Sequence, residues 1–237
     1  GGHIMRPLLI VRDRNVKLVI NEGGFGGVLA TTKKFTSGSG KNVHYIIELY
    51  RGRCLDVYSS SWLVGKGIDF DTFLVGVITH EVAHIRYGTF RKQEPILNGL
   101  FSFISHCLED SRIEHALAFE FPSYSKVLSL TLSAVGDRFL IDSDMMTKYA
   151  NDLFALSRLG MIRSGADEDF ISFVLPIVLS SRRMSRENEI VGALAIYDYL
   201  VAKENEHQDS SITQGKIDSS SIAVASINDK DIERIVA

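Results

Sequence analysis

The sequence predicts an α+β fold that is mainly α, with a small N-terminal β-sheet and a C-terminal helical bundle. From about residue 72 onward, apolar residues recur at helical spacing through several successive segments. The segment most typical of a strand comes earlier, from Val43 to Tyr50, and Ser-Gly and Arg-Gly sequences bound it. The chain of 237 residues, 45% of them hydrophobic, is long enough for one sizeable domain.

The N-terminal part contains the other predicted strands and loops. Short β-rich pieces at Leu8–Val11 and Asn15–Ile20 predict two strands. A flexible loop is predicted at Gly23, Gly24, Gly26 and Gly27, because the Lys-Ser/Thr pair of a phosphate-binding loop does not follow them. Residues 58–69 contain three consecutive serines and two glycines, and they predict another loop.

Helices are predicted at about 72–87, 95–119, 124–141, 144–159, 167–181 and 186–203. Asp69 or Asp71 can cap the first helix, and Gly88 can end it. Pro95 suits the first turn of the second helix. Pro176 lies inside a later segment and should kink or break it.

The two ends of the chain differ in composition from the predicted domain at 6–204. Residues 1–5 (Gly-Gly-His-Ile-Met) are typical of a cloning remnant, so His3 is not expected to be a metal ligand. From residue 205 to 237 the chain is polar and Ser-rich, which predicts a tail or a linker.

Charge and composition exclude several classes of function. A formal net charge of −3 does not favour nucleic acid or an anionic membrane as a partner. We find no apolar run long enough to cross a bilayer and no secretory signal, so a cytoplasmic location is expected. Two distant cysteines, Cys54 and Cys107, do not make a disulfide framework, and Cys107 is expected in the core.

The sequence His80-Glu81-Val82-Ala83-His84 stands in an apolar segment and has the His-Glu-x-x-His spacing. On a helix, His80 and His84 lie one turn apart on one face, where both imidazoles can bind one Zn²⁺ and Glu81 can reach a water. Burying this trio without partners would be unfavourable, which favours a metal. The alternative is that each imidazole pairs with a carbonyl or a water and Glu81 pairs with an arginine.

A catalytic zinc site also needs a third protein ligand. The next predicted helix offers Glu109, on a stripe whose small serines would allow close approach to the His-bearing helix. His106 is the main competitor, followed by His115 and Glu114. Asp110 can orient a liganding histidine, and Arg112 can pair with a carboxylate or stabilise an oxyanion. Alternatively, the charged residues of this helix form a solvated face.

Residues 80–90 together with Leu108-Glu109-Asp110-Ser111-Arg112-Ile113-Glu114 resemble the metallopeptidase-like region of cobaltochelatase CobT-type proteins of bacteria and phages. The resemblance covers about residues 43–120, and the wider pattern is that of gluzincin peptidases. It implies a zincin-like core, His80, His84 and Glu109 as zinc ligands, and Glu81 as general base. It also implies a partnership with a von Willebrand A domain or a ring ATPase. Ile113 departs from the gluzincin pattern, which often has Asp at that place.

These features predict a zinc metalloendopeptidase that acts on a protein or peptide. Glu81 would take a proton from the attacking water and pass it to the leaving amine. The candidates for stabilising the oxyanion are Tyr87, Arg112, His115 and Tyr124. The strand from Tyr45 to Tyr50 is expected to run along the cleft and to pair with an extended substrate. One alternative is a zinc-stabilised interaction module without activity, and another is a metal-free helical domain.

Overall fold

The computed structural model describes residues 2–23, 28–88, 90, 99–183 and 186–212. It confirms a mainly helical fold with a small sheet. The strands are β1 (Asn15–Asn21), β2 (Ala30–Thr36) and β3 (Val43–Tyr50). The helices are α1 (Arg51–Ser59), α2 (Trp62–Gly65), α3 (Phe70–Tyr87), α4 (Gly99–Glu120), α5 (Pro122–Phe139), α6 (Met145–Phe154), α7 (Glu168–Ser181) and α8 (Arg186–Ile212).

The chain divides into two compact units. Within the described residues, the first unit contains the chain up to residue 90 and residues 113–139, and the second contains residues 99–112 and 140–212. Helix α4 therefore contributes its first part to the second unit and its last part to the first. Among the described helices, none is long and apolar enough to span a bilayer.

The sheet of the first unit has the order β1-β3-β2. β3 pairs in parallel with β1 and antiparallel with β2, so both edges of β3 are occupied. The strands predicted at 15–20 and 43–50 are confirmed. The strand predicted at Leu8–Val11 is wrong, because these residues belong to a 3₁₀ helix, Gly2–Val11, that packs on α3 and buries Val11. A short apolar run is compatible with a strand or with a helix, and the tertiary packing decided between the two.

Helix α3 begins and ends as its sequence predicts. The Asp69 carboxylate accepts hydrogen bonds from the backbone N–H of Thr72 at 2.8 Å and from its hydroxyl at 2.6 Å. At the other end, the Gly88 N–H donates to the His84 carbonyl at 2.9 Å. A Cβ at residue 88 would lie 2.4 Å from that carbonyl oxygen, so glycine is required where the chain leaves the helix.

Helix α5 packs closely against α3. A Cβ at Gly76 would lie 1.9 Å from the Thr131 Oγ1 atom, so the absence of a side chain allows the two helices to approach. The Thr131 hydroxyl donates to the Phe73 carbonyl at 3.1 Å. The α3 helix is thus buried over most of its surface, which matches its apolar sequence.

The helices of the second unit follow the predicted segments with local differences. The segment at 144–159 is α6 and then a π-helical turn, Ala155–Leu159, which Gly160 ends at a φ of 64°. Pro176 does not break α7, because Val174 and Val178 stay buried on one face while Pro176 lies on the exposed face. Helix α8 continues to Ile212, beyond the predicted end at residue 203.

Two further differences between the predicted and the observed elements lie in the first unit. The loop predicted at 58–69 contains the end of α1 and the short helix α2. Strand β2 was not predicted, because its Thr- and Lys-rich sequence is mostly exposed and lacks an apolar alternation. The predicted helix start at Pro95, Gly24, Gly26 and Gly27 of the glycine loop, and residues 213–237 of the tail lie outside the described residues.

Candidate metal centre

Helix α3 brings the two predicted imidazoles together. His80 is buried and His84 is half-buried, and their Nε2 atoms lie 3.1 Å apart. Two nitrogens bound to one tetrahedral zinc at about 2.05 Å would be about 3.3 Å apart. The two ring nitrogens therefore lie at nearly the separation that a shared metal ion requires, which is also the distance of an N–H···N hydrogen bond between the rings.

Glu114 of α4 contacts the opposite side of the His80 ring. Its Oε1 atom lies 3.2 Å from the Nδ1 atom of His80, and both side chains are at least nine-tenths buried. With Nδ1–H as the donor to this carboxylate, the lone pair of His80 is left on Nε2, the atom that faces His84. This carboxylate–histidine contact is typical of metal sites, because it fixes the orientation of the ring and raises its basicity.

Glu81 lies on the same helix and is 2% exposed. Its Oε2 atom accepts a hydrogen bond from the hydroxyl of Thr32 on β2. Thr32 was not predicted as a site residue, because the strand that positions it has no sequence signal of its own. A hydrogen bond to a carboxylate restricts its rotation. The first unit thus holds a buried, oriented carboxylate one residue after His80.

Cys54 is also buried in the first unit, where its thiol donates to the Leu29 carbonyl at 3.5 Å. Burial raises the pKa of this thiol to about 12, and the negative charge of Glu81 adds to the shift. The thiol of the metal-free protein is therefore protonated at neutral pH, which disfavours Cys54 as a nucleophile. Cys107 is fully buried, as expected for a core residue.

Asp110 and the predicted ligand Glu109 both belong to the second unit, and each lies near an arginine there. Asp110 is fully buried, and its Oδ2 atom lies 3.5 Å from the guanidinium of Arg158. Glu109 lies 3.9 Å from the guanidinium of Arg112. Within the first unit, the carboxylate of α4 that contacts His80 is Glu114, which its sequence position alone placed behind Glu109 and His106 as a candidate.

Two other residues of α4 that were predicted at the site, His106 and Arg112, bond to groups outside the imidazole pair. The Nδ1 atom of His106 lies 2.7 Å from the Ser102 carbonyl, and the side chain is exposed. The Nε atom of Arg112 donates to the Glu189 carboxylate within the second unit. His106 therefore bonds its own helix, and Arg112 forms an ion pair.

The remaining candidates for stabilising the oxyanion are Tyr87, His115 and Tyr124. The Tyr87 hydroxyl donates to Glu120, and burial, together with Glu120, raises its pKa to about 12. His115 is exposed on α4, and the Tyr124 hydroxyl lies 3.3 Å from the Arg6 carbonyl. None of these contacts joins a candidate to the imidazole pair.

No family model, no curated protein and no solved structure matches this chain. The resemblance of its two motifs to CobT-type proteins therefore stays a sequence-based expectation.

The prediction that the strand from Tyr45 to Tyr50 pairs with a substrate is wrong. These residues belong to β3, whose two edges are already paired with β1 and β2. Within the described part of the chain, the outer edges of β1 and β2 have no strand partner. Of these two edge strands, β2 carries Thr32 and therefore contacts Glu81.

Proposed function

We propose that this protein is a zinc-dependent metallopeptidase, with His80 and His84 as metal ligands. The observation that carries the proposal is the proximity of the two Nε2 atoms, 3.1 Å apart, with a carboxylate behind His80 and a second buried carboxylate at Glu81. Two imidazoles from one helix, completed by a third protein ligand, hold the metal ion in many catalytic zinc sites. Zinc bound there would polarise a scissile carbonyl and lower the pKa of a water molecule.

Glu81 serves as the general base in this proposal. Its carboxylate takes a proton from the attacking water and delivers it to the nitrogen of the leaving amine, so that the C–N bond breaks with a neutral leaving group. The Thr32 hydroxyl holds the Oε2 atom of Glu81, which leaves the rotation of the carboxylate restricted. Glu114 keeps the His80 ring in one orientation and is a positioning residue.

An extended peptide can add to the outer edge of β2 by main-chain hydrogen bonds. Such a substrate would pass beside Thr32 and hence beside Glu81. Backbone pairing of this kind depends little on side chains, so it favours unfolded or extended protein segments as the substrate class.

The proposal is tested by cleavage of an unfolded protein and of a fluorogenic peptide library by zinc-loaded protein. We expect one zinc per chain, and loss of at least about 10²-fold in kcat for Glu81→Gln, because general-base catalysis typically contributes that much. The Glu81→Gln variant should keep its zinc, since Glu81 is not a ligand. A Glu48→Gln variant, which changes a carboxylate on β3, serves as the matched control.

Two outcomes would contradict the proposal. Protein that carries no zinc after removal of residues 1–5 would exclude the metal centre. Stoichiometric zinc without cleavage of any library member would instead favour the zinc-stabilised interaction module.

A further inference from the structure

A cavity of about 380 Å³ opens at the C-terminal end of α3 in the first unit. Its lining includes Arg14, Lys34, Tyr45, Ile85 and Phe90. Ile85 directly follows the proposed ligand His84 in the chain, and Lys34 lies on β2. The cavity therefore adjoins both the helix that carries the imidazoles and the strand edge that is available to a peptide.

Cationic side chains line the cavity. Arg86 is one of them, and its Nε atom pairs with Glu120 at 2.6 Å. Arg14 donates to a neutral group, the Ile85 carbonyl. Within the described residues, no carboxylate lies within 4.0 Å of a charged nitrogen of Arg14 or Lys34. Two cations facing one concave surface attract an anionic group.

Aromatic rings form the apolar part of the lining. The ring centroids of Tyr45 and Phe90 are 5.6 Å apart, and Tyr45 is buried. Apolar walls with a few charged groups at fixed places are typical of a site that binds an organic ligand. This lining suits a carboxylate attached to a short hydrocarbon stem better than it suits a fully hydrated inorganic anion.

The strand register relates the cavity to the proposed base. Thr32 and Lys34 are two residues apart on β2, so their side chains point to the same face, about 6.7 Å apart along the strand. Thr32 contacts Glu81, and Lys34 reaches the cavity. Lys34 is also opposite Tyr45 in the register of β2 and β3. A peptide paired with the edge of β2 would place a group near Lys34 about two residues from the group near Glu81.

We infer that this cavity binds a carboxylate of the peptide substrate, about two residues from the scissile bond. The inference rests on the proposed peptidase function and adds a specificity to it. The carboxylate comes either from an Asp or Glu side chain or from the free C-terminus of a short peptide. Arg14 and Lys34 supply the positive charge, and Tyr45 and Phe90 cover the hydrocarbon stem.

The test compares fluorogenic peptides that differ only in Glu or Gln at successive positions around the cleaved bond, each with a free or an amidated C-terminus. We expect the carboxylate form to have about a tenfold higher kcat/KM at one position, the gain typical of a charge-assisted contact. In Lys34→Glu this ratio should fall to about one or below. The control is Lys33→Glu, which makes the same change on the opposite face of β2 and should keep the ratio.

A binding measurement separates this inference from the peptidase proposal. Zinc-loaded Glu81→Gln protein is titrated with the labelled Glu and Gln peptides, and binding is followed by fluorescence anisotropy at low and high salt. If the carboxylate peptide binds preferentially and Lys34→Glu abolishes this preference, the cavity assignment is supported. This result supports it even when the wild-type protein cleaves no peptide. Cleavage without preference for a carboxylate in either the side-chain or the C-terminal series would overturn the assignment and leave the peptidase proposal intact.

Discussion

Replacing Glu114 tests the contact on which the orientation of His80 depends. Its carboxylate lies 3.2 Å from the His80 Nδ1 atom, and the two side chains are only 8% and 10% exposed. Water therefore has little access to substitute for the lost carboxylate. Removing such a partner of a metal-bound histidine typically weakens metal binding about 10- to 100-fold, or about 1.4 to 2.7 kcal/mol.

We expect Glu114→Gln to lie near the lower end of that range and Glu114→Ala near the upper end. Glutamine keeps the shape and an acceptor oxygen but removes the charge, whereas alanine leaves the Nδ1–H without its partner. The dissociation constant of zinc is measured by competition with a chromophoric chelator at fixed pH. His115→Ala is the matched control, since His115 is the next residue on α4 and its side chain is exposed.

If Glu114→Ala binds zinc as tightly as the wild-type protein does, Glu114 does not position His80 for the metal. If His115→Ala weakens binding to the same extent as Glu114→Ala, a general effect on α4 explains the loss. Circular dichroism of the three variants without zinc shows whether the helices are retained.

Two further predictions concern the same unit. Thr32→Val should reduce kcat about tenfold with zinc content unchanged, because Glu81 loses its hydrogen bond, while Thr31→Val on the opposite face of β2 should not; equal kcat values for the two variants would count against this role. Asp69→Ala should cost about 1 kcal/mol of unfolding free energy at pH 7 by urea titration. The hydrogen bonds from Thr72 lower the pKa of Asp69, so this stabilisation is complete above its ordinary pKa and is lost as the pH falls through the lowered value; a difference that persists at the lowest pH would contradict the cap.

Local features of the sequence were sufficient to predict α3 and β3. The Asp69 cap, the apolar run and Gly88 specify a helix with defined ends, and the alternation from Val43 to Tyr50 specifies a strand. Each of these signals acts over a few residues of chain. The spacing of His80 and His84 on one face follows from the helix alone, which is why the imidazole pair could be predicted.

Contacts between distant segments could not be predicted in the same way. Strand β2 is a polar edge strand, and the partner that makes it a strand is β3. Its Thr32 is 49 residues away from Glu81 in the sequence, and no periodicity links the two. The central position of β3, which removes it as a substrate-binding edge, is likewise a property of the sheet.

By itself, the sequence determined the side chains that α3 presents: two imidazoles one turn apart, a carboxylate between them, and capped helix ends. Only the tertiary structure decided which groups surround that pair. Glu114 meets His80, Thr32 meets Glu81, and Arg14 and Lys34 face one cavity. The physical reason is that helix periodicity specifies which residues share a face, whereas the rotation of one helix against another element depends on packing across the whole core.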